Sequence, residues 1–187
     1  MIMAGYDIRI FGDPVLRQVS HELTNIDGTV AKLVQDMIPV MYQAQGLGLA
    51  APQVGVQKRL FVYDMNDGRG PQTLINPVIK ETSGEWTYEE GCLSVPGLSW
   101  EITRPDEIHL TGLDLDGNEV DIQANELLSR LYQHELDHLD GKLLIDQLDD
   151  ERRKEALKVL RNRLIDAPAP PQVTARSSRL GLTLPGR

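Results

Sequence analysis

Residues 125–141 read NELLSRLYQHELDHLDG, and this stretch decides how the whole sequence is interpreted. Its apolar residues recur at helical spacing. Asn125 is a suitable N-cap, because its side chain can accept a hydrogen bond from the first turn, and Gly141 is a suitable end. We therefore predict a helix that begins after Asn125 and runs through Leu139.

The segment HELDH, residues 134–138, carries the chemistry of this helix. Histidines at positions i and i+4 stand one turn apart on the same face, so imidazole nitrogens of both can reach one metal ion. Glu135 can then contact a water molecule as general base. A buried pair of hydrogen-bonded histidines without a metal is the alternative. The histidines continue a row of leucines at helical spacing, and this row is expected to face the interior: Leu127, Leu131, His134 and His138.

Two histidines need at least one further protein ligand to hold a metal ion. Cys92, the only cysteine, lies in the glycine-flanked segment EEGCLSVP, residues 89–96. Its thiolate would be a soft ligand, whereas a carboxylate of Asp140 or Asp146 would make a site of the thermolysin type. The spacing leaves these choices open, and it also permits a nucleophilic cysteine that is activated by His134.

A third segment, GLGLAAPQ at residues 46–53, is suited to contact with a ligand. Gly46 and Gly48 allow the backbone to approach a ligand closely, and Gln53 offers an amide donor. The spacing differs from the dinucleotide-binding fingerprint, so a nucleotide cofactor is not expected. Taken alone, the segment is also compatible with an ordinary packed loop.

The remaining periodicity predicts the α+β class, in which a sheet-rich body carries a few helices. Asp116-Gly117 between two alternating segments is a hairpin signal. Pro39 stands inside the first predicted helix and lacks an N–H donor, so a kink or break is expected there. The predicted elements are a helix over 29–45, strands over 60–65 and 74–80, the hairpin over 107–123 and a last helix over 149–165.

The chain of 187 residues is 41% hydrophobic and 25% charged, which fits one globular domain with room for a tail. Its net charge of −9 argues against nucleic-acid binding over the whole surface. The charge is unevenly distributed, since residues 1–150 carry a net −15 and residues 151–187 a net +6. This asymmetry indicates a separate partner for the basic end of the chain.

Three further features concern the compartment. No run approaches the roughly 18 apolar residues of a membrane span. The start, MIMAGYDIRIFGDP, lacks a basic segment followed by an apolar one, so no secretory signal is expected. A single cysteine excludes an intramolecular disulfide and fits a reducing cytoplasm.

The three segments, in this order, resemble the peptide deformylase family. The family motifs G-x-G-L-A-A-x-Q, E-G-C-L-S and H-E-x-D-H correspond to residues 46–53, 90–94 and 134–138 without a mismatch at the defined positions. The segments GDPVLR at 12–17 and HLDG at 138–141 are also similar to the family. The resemblance covers about residues 7–147.

The resemblance implies a fold and an activity. Antiparallel β-sheets would surround a central helix carrying the HExxH motif, with an N-terminal and a C-terminal helix. Residues 1–166 would form the catalytic domain, and residues 167–187 a Pro-rich basic tail. The protein would be a metal-dependent amidase that removes the N-formyl group from the N-terminal methionine of newly synthesised polypeptides and releases formate.

The resemblance also assigns roles to individual residues. Cys92, His134 and His138 would be the metal ligands. Glu135 would be the general acid and base. Gln53 and the backbone N–H of Leu93 would form the oxyanion site, in which two donors meet the developing negative charge on the carbonyl oxygen.

The substrate is expected to bind as an extended strand, with backbone contacts at Gly48. Leu127 and Leu131 are candidates for the wall of the methionine pocket, with Leu47 opposite, although they could equally be ordinary core. Many bacterial members of the family have an arginine seven residues after the cysteine, whereas this sequence has Ser99.

For cofactor and partners, the family suggests one divalent metal ion per chain, with Fe²⁺ in the cell and Zn²⁺ or Ni²⁺ as isolated. Formylated nascent peptides would be the substrate. The basic C-terminal helix and tail would contact the ribosome, whose surface is largely phosphate. Neither DNA nor a membrane is expected as a partner, and the expected location is the cytoplasm.

A buried ion pair is expected beside the cysteine. Glu90 lies in the cysteine segment, and Arg104 is the only Lys or Arg between Lys80 and Arg130. Because a buried carboxylate needs a partner, we predict that Arg104 pairs with Glu90.

Two other functions compete with deformylation. A metalloendopeptidase shares H-E-x-x-H but normally lacks a cysteine ligand and the first two segments. A non-catalytic formyl-peptide or metal-binding relative would have lost Glu135, which is present here.

Overall fold

The computed structural model of the chain describes residues 5–166. The predicted tail, residues 167–187, lies outside these described residues. The fold is of the α+β class with antiparallel sheets, which confirms the predicted class. In chain order the helices and strands are α1 (Gly28–Gln43), β1 (Gly48–Ala50), β2 (Leu60–Tyr63), β3 (Gln72–Ser83), β4 (Trp86–Gly91), β5 (Ser99–Arg104), β6 (Glu107–Leu113), β7 (Glu119–Ala124), α2 (Glu126–Leu139) and α3 (Asp150–Asp166).

Within residues 5–166 the strands form two antiparallel sheets. The larger sheet has five strands in the order β1-β2-β3-β6-β7, and β4 pairs with β5 in a separate two-stranded sheet. The hairpin predicted over 107–123 is confirmed as β6 and β7, with Leu113 opposite Glu119 in the register. The β4-β5 pair was not predicted. In β4 the only buried residue is the charged Glu90, whereas β5 does alternate between exposed and more buried residues, and this signal was overlooked.

Helices α1 and α2 cover opposite faces of the strands that follow α1. All four residues of β2 are buried. Successive side chains of a strand point to opposite faces, and both faces of β2 are covered. Leu60 and Val62 pack against α1, whereas Phe61 and Tyr63 pack in the cluster that contains α2. This packing fixes α2 against β1, at the edge of the sheet.

The break expected at Pro39 does not occur, and α1 continues to Gln43. Residues 40 and 41 follow the proline, and both Val40 and Met41 are buried against the sheet. Burial of these two side chains stabilises the last turn despite the hydrogen bond that the proline cannot make.

The two remaining predicted helices are present. Helix α2 ends where expected, and Gly141 follows it with a φ of +71°. A Cβ at Gly141 would lie 2.9 Å from the backbone carbonyl of Arg17, so this close approach requires glycine. Helix α3 agrees with the predicted 149–165 to within one residue at each end. None of the helices in residues 5–166 is both long and apolar enough to cross a membrane.

Candidate active site

The fold brings the cysteine segment to the histidine face of α2. Cys92 follows the last residue of β4, and its Sγ atom lies 3.2 Å from Nε2 of His138. One ligand atom from each of Cys92, His134 and His138 lies within 4.8 Å of the others. Cys92 therefore contacts His138 and lies close to His134 as well, whereas a cysteine nucleophile needs only one imidazole.

These three side chains fit a divalent metal ion. A thiolate and two imidazoles are the donors that Zn²⁺ and related ions prefer, and three protein ligands leave a position for water. Burial alone raises the pKa of the Cys92 thiol, but the two histidines outweigh it and hold this pKa well below its usual value. The alternative ligands lie elsewhere, because Asp140 binds Arg59 and Asp146 binds Arg17.

Glu90 orients the first histidine. Its Oε2 atom lies 3.1 Å from Nδ1 of His134, which leaves Nε2 of that ring for the metal. Arg104 donates to both oxygens of Glu90, at 2.7 Å from Nε and 3.0 Å from Nη2, so the predicted ion pair is confirmed. Burial by itself raises the pKa of Glu90, but hydrogen bonds from His134 and Arg104 lower it to about 2.

The sequence analysis missed a second arginine, Arg130, which also binds Glu90. Its guanidinium lies 4.9 Å from the centre of the Trp86 ring and donates to the carbonyl of Trp86. A signal was present, since residue 130 precedes His134 by four positions and shares its helix face. Arg104 also binds Asp137, so two carboxylates and two guanidinium groups balance one another beside the histidines.

Glu135 lies beside the three-residue cluster, and 4% of its surface is exposed. Its Oε2 atom has no hydrogen-bond partner among the described residues. Burial raises the pKa of this carboxyl, although the two histidines oppose the change. Gly48 faces it so closely that a Cβ there would lie 2.9 Å from the carboxyl carbon of Glu135. The first glycine-rich segment thus makes room for this carboxylate.

Gln53 and Leu93 provide candidate donors in the same region. Oε1 of Gln53 accepts a hydrogen bond from Ala50 N–H at 2.8 Å, and Nε2 donates to Ser94 Oγ at 3.2 Å. A primary amide has two N–H groups, so one remains for another acceptor. Among residues 5–166 no hydrogen bond uses the backbone N–H of Leu93.

The cluster opens into a cavity of about 710 Å³. Its walls include Gln53, Leu93 and Glu135, together with all four residues expected to contact the substrate: Leu47, Gly48, Leu127 and Leu131. Leu131 is buried, but Leu127 is 37% exposed, so the interior position expected for Leu127 was wrong. It lies on the cavity wall one turn before Leu131, nearer the start of α2.

A buried Cys-His-His cluster, an unpaired carboxylate and an adjoining cavity define a metal-dependent hydrolase. Comparison with known families identifies the family of hydrolases to which the chain belongs. The polypeptide deformylase family model matches residues 6–154, and the chain belongs to this family.

Individual relatives agree with this assignment. The chain is 48% identical to the peptide deformylase of Agathobacter rectalis over 147 residues, which are 79% of this chain and 92% of the relative. It is 49% identical to the peptide deformylase of Halothermothrix orenii over 141 residues, which are 75% of this chain and 92% of the relative.

Solved structures agree as well. A crystal structure of the Legionella pneumophila peptide deformylase superposes with a TM-score of 0.80 at 36% identity, covering 87% of this chain and 99% of that one. The crystal structure of the Thermotoga maritima peptide deformylase gives a TM-score of 0.74 at 43% identity, and the match covers 77% of this chain and 97% of that one. These matches favour deformylation over the endopeptidase considered from the sequence.

Proposed function

We propose that this chain removes the N-formyl group of newly synthesised polypeptides with a metal ion held by Cys92, His134 and His138. Deformylation is the activity of the family to which the chain belongs. The assignment of the residues is carried by one observation. The unpaired Oε2 atom of Glu135 is buried next to the cluster, at the wall of a cavity.

The metal ion would polarise the formyl carbonyl and lower the pKa of water toward about 7. Glu135 holds and moves the proton: it accepts one from the attacking water and returns it to the leaving nitrogen. Its burial suits this role, because a raised pKa makes the carboxyl a better proton acceptor. The products are formate and a free amino terminus.

Gln53 and Leu93 would stabilise the charge that develops on the formyl oxygen. The free N–H of the Gln53 amide and the backbone N–H of Leu93 both belong to residues of the cavity wall. Preorganised donors of this kind contribute about 3–4 kcal/mol each to transition-state stabilisation. The bond from Ala50 N–H to Gln53 Oε1 fixes the amide orientation.

The methionine side chain would lie against Leu127 and Leu131, with Leu47 opposite. All three line the cavity, and Gly48 is the first residue of β1, the edge strand of the larger sheet. An extended peptide could add to such an edge through main-chain hydrogen bonds.

Metal content and formate release, measured on the same preparation, test the proposal. Formyl-Met-Ala-Ser should release formate, whereas its acetylated counterpart and an internal peptide bond should not be cleaved. Cys92→Ser should lose metal and activity together. Formate release by a metal-free preparation of the wild type would overturn the proposed site.

Fe²⁺ is the proposed ion in the cell, with Zn²⁺ or Ni²⁺ replacing it in isolated protein. The thiolate and the two imidazoles bind all three ions, and their affinity order favours Zn²⁺ over Fe²⁺. Anaerobic purification followed by elemental analysis distinguishes the ions. Zinc as the sole metal in protein purified without air would contradict the choice of iron.

Ribosome contact through α3 is a further part of the proposal. Helix α3 carries six Lys and Arg residues, and three of them already have partners: Arg152 binds Asp149, Arg153 binds Asp146 and Arg163 binds the carbonyl of Pro96. The other three are exposed and form no ion pair with any residue in 5–166. They are Lys154, Lys158 and Arg161.

Charge reversal tests the ribosome contact better than truncation of α3, because the helix buries Ala156 and Leu160. Changing residues 154, 158 and 161 to Glu should abolish a salt-sensitive co-sedimentation with ribosomes. A matched control reverses three exposed cations of the body, Lys32, Arg69 and Lys80. Equal sedimentation of both variants would refute contact through α3.

We place the reaction in the cytoplasm, where a lone cysteine thiol stays reduced. We also retain the division of the chain into a catalytic domain over 1–166 and a basic tail over 167–187. Deformylation by a chain that ends at residue 166, at the rate of the full chain, would support this division.

A further inference from the structure

Helix α3 packs against the loop that carries Cys92. Ala156 and Leu160 on its inner face are each 3% exposed and share a hydrophobic cluster with Cys92 and Val95. The C-terminal helix therefore packs directly on the loop that carries Cys92.

Arg163 lies one turn after Leu160 and reaches the loop itself. Its Nη1 atom donates a hydrogen bond to the backbone carbonyl of Pro96. The same guanidinium lies over Gly97, where the position of a Cβ would be 3.6 Å from Nη1. The next residue, Leu164, packs against Gly12, so the end of α3 has a second contact with the body.

The loop is held unevenly along its length. Its first half is fixed by three hydrogen bonds: Val95 N–H to Cys92 O at 2.9 Å, Phe11 N–H to Ser94 O at 2.8 Å, and Gln53 Nε2 to Ser94 Oγ at 3.2 Å. For Pro96–Leu98, the bond from Arg163 is the only one within residues 5–166 outside the helices and strands. Yet Pro96, Gly97 and Leu98 all line the cavity.

We propose that Arg163 is a positioning residue for peptide binding, which holds the Pro96–Leu98 wall of the cavity through the Pro96 carbonyl. This rests on the proposed function, because the cavity is where the formylated peptide would bind. Arg163 forms no ion pair with another residue in 5–166, so its charge is available to the carbonyl. Gly97 has a φ of +69°. Because glycine has no Cβ, it gives the segment little conformational preference of its own.

None of the three residues of this wall carries a group that would do the chemistry. Cys92 and Ser94 have their own hydrogen bonds, and Glu135 lies on α2. Release of the wall should therefore weaken binding of the peptide chain without slowing the chemical step. The expected signature is a higher KM at an unchanged kcat.

Arg163→Ala tests the proposal, with Arg152→Ala as the matched control. Both changes remove one exposed cation from α3, but Arg152 binds only Asp149 on the surface. On a formyl-Met tripeptide, Arg163→Ala should raise KM about three- to tenfold, the effect of losing one ordinary hydrogen bond at an exposed side chain. Its kcat should stay within twofold, and its metal content should match the wild type.

Two additional measurements separate positioning from general destabilisation. NMR order parameters of the backbone N–H groups of Gly97 and Leu98 should fall in Arg163→Ala and not in the control. Arg163→Lys should recover part of the KM, since an ammonium can donate to the same carbonyl. An unchanged KM, or a lower kcat with loss of metal, would overturn the inference. Failure of the proposed function would instead appear as no formate release by the wild type, and the order parameters would still report whether Arg163 holds the loop.

Discussion

Oε2 of Glu90 lies 3.1 Å from Nδ1 of His134. The hydrogen bond fixes the tautomer and the orientation of this imidazole, so Nε2 is presented to the metal position before any ion binds. Two arginines hold Glu90 in turn, Arg104 and Arg130. The proposed metal site is therefore preorganised by a second layer of charged side chains.

Glu135→Gln should keep the fold and the metal but lose the proton carrier. The amide is similar in size to the carboxyl and cannot accept and return a proton, so kcat should fall by about 10²–10⁴ or more. Formate release per bound metal is the measurement. Glu119→Gln, a change at an exposed residue of β7, is the control. Turnover near that of the wild type in metal-loaded Glu135→Gln would refute the assigned role.

Gly48→Ala should displace the carboxylate of Glu135. The new Cβ would lie 2.9 Å from the carboxyl carbon of Glu135, and misplacement of a catalytic group by about 1 Å can cost about 100-fold in rate. Gly28→Ala serves as the control, because a Cβ there meets nothing within 4 Å. Similar kcat values for the two variants would show that Gly48 is not needed to leave room for the Glu135 carboxylate.

Arg104→Ala should weaken both the fold and the metal site. Glu90 and Arg104 are 5% and 6% exposed, and removal of one partner from a buried pair costs about 3–5 kcal/mol in the free energy of unfolding. Metal affinity should fall together with the free energy of unfolding, because Glu90 orients His134. Urea titration and competition with a chelator measure the two effects. Arg69→Ala, at an exposed pair, should change neither quantity.

The stability contributed by Asp146 should depend on pH. Burial by itself raises its pKa, but hydrogen bonds from Arg17 and from the N–H of Leu143 outweigh it, so the pKa lies below the usual 3.8. A lowered pKa means that the contribution is complete above about pH 4 and is lost as the pH falls through the folded-state value.

Asp146→Asn should consequently destabilise the protein at pH 7, and its deficit relative to the wild type should shrink as the pH falls below 4. Urea titrations of both proteins at pH 7, 5 and 3 measure this difference. Asp36→Asn, at an exposed ion pair on α1, controls for the loss of one surface carboxylate. A deficit that is independent of pH would rule out the ionised form of Asp146 as its source.

The local sequence pattern was sufficient to predict some parts of this molecule. The spacing of His134 and His138 predicts their shared face, because helix periodicity is a property of consecutive residues. Asp116-Gly117 predicts the turn between β6 and β7 for the same reason. The pairing of Glu90 with Arg104 could be predicted because Arg104 is the only Lys or Arg between Lys80 and Arg130 in the sequence.

Other parts depended on contacts that the sequence does not display. Leu127 shares the helical row with Leu131, yet it is exposed on the cavity wall, since only neighbouring elements determine which part of a face is covered. Pro39 should have interrupted α1, but burial of Val40 and Met41 against the sheet outweighs the local cost.

By itself the sequence determined the chemical groups of the site and the helix that carries two of them, because both follow from residue type and helical spacing. Only the tertiary structure decided which other groups meet these histidines. Cys92, Gly48 and Arg163 come from distant segments, and their encounter at α2 and at the cavity wall depends on the packing of sheets and helices. Such long-range contacts are fixed by burial of the whole core, which no local pattern encodes.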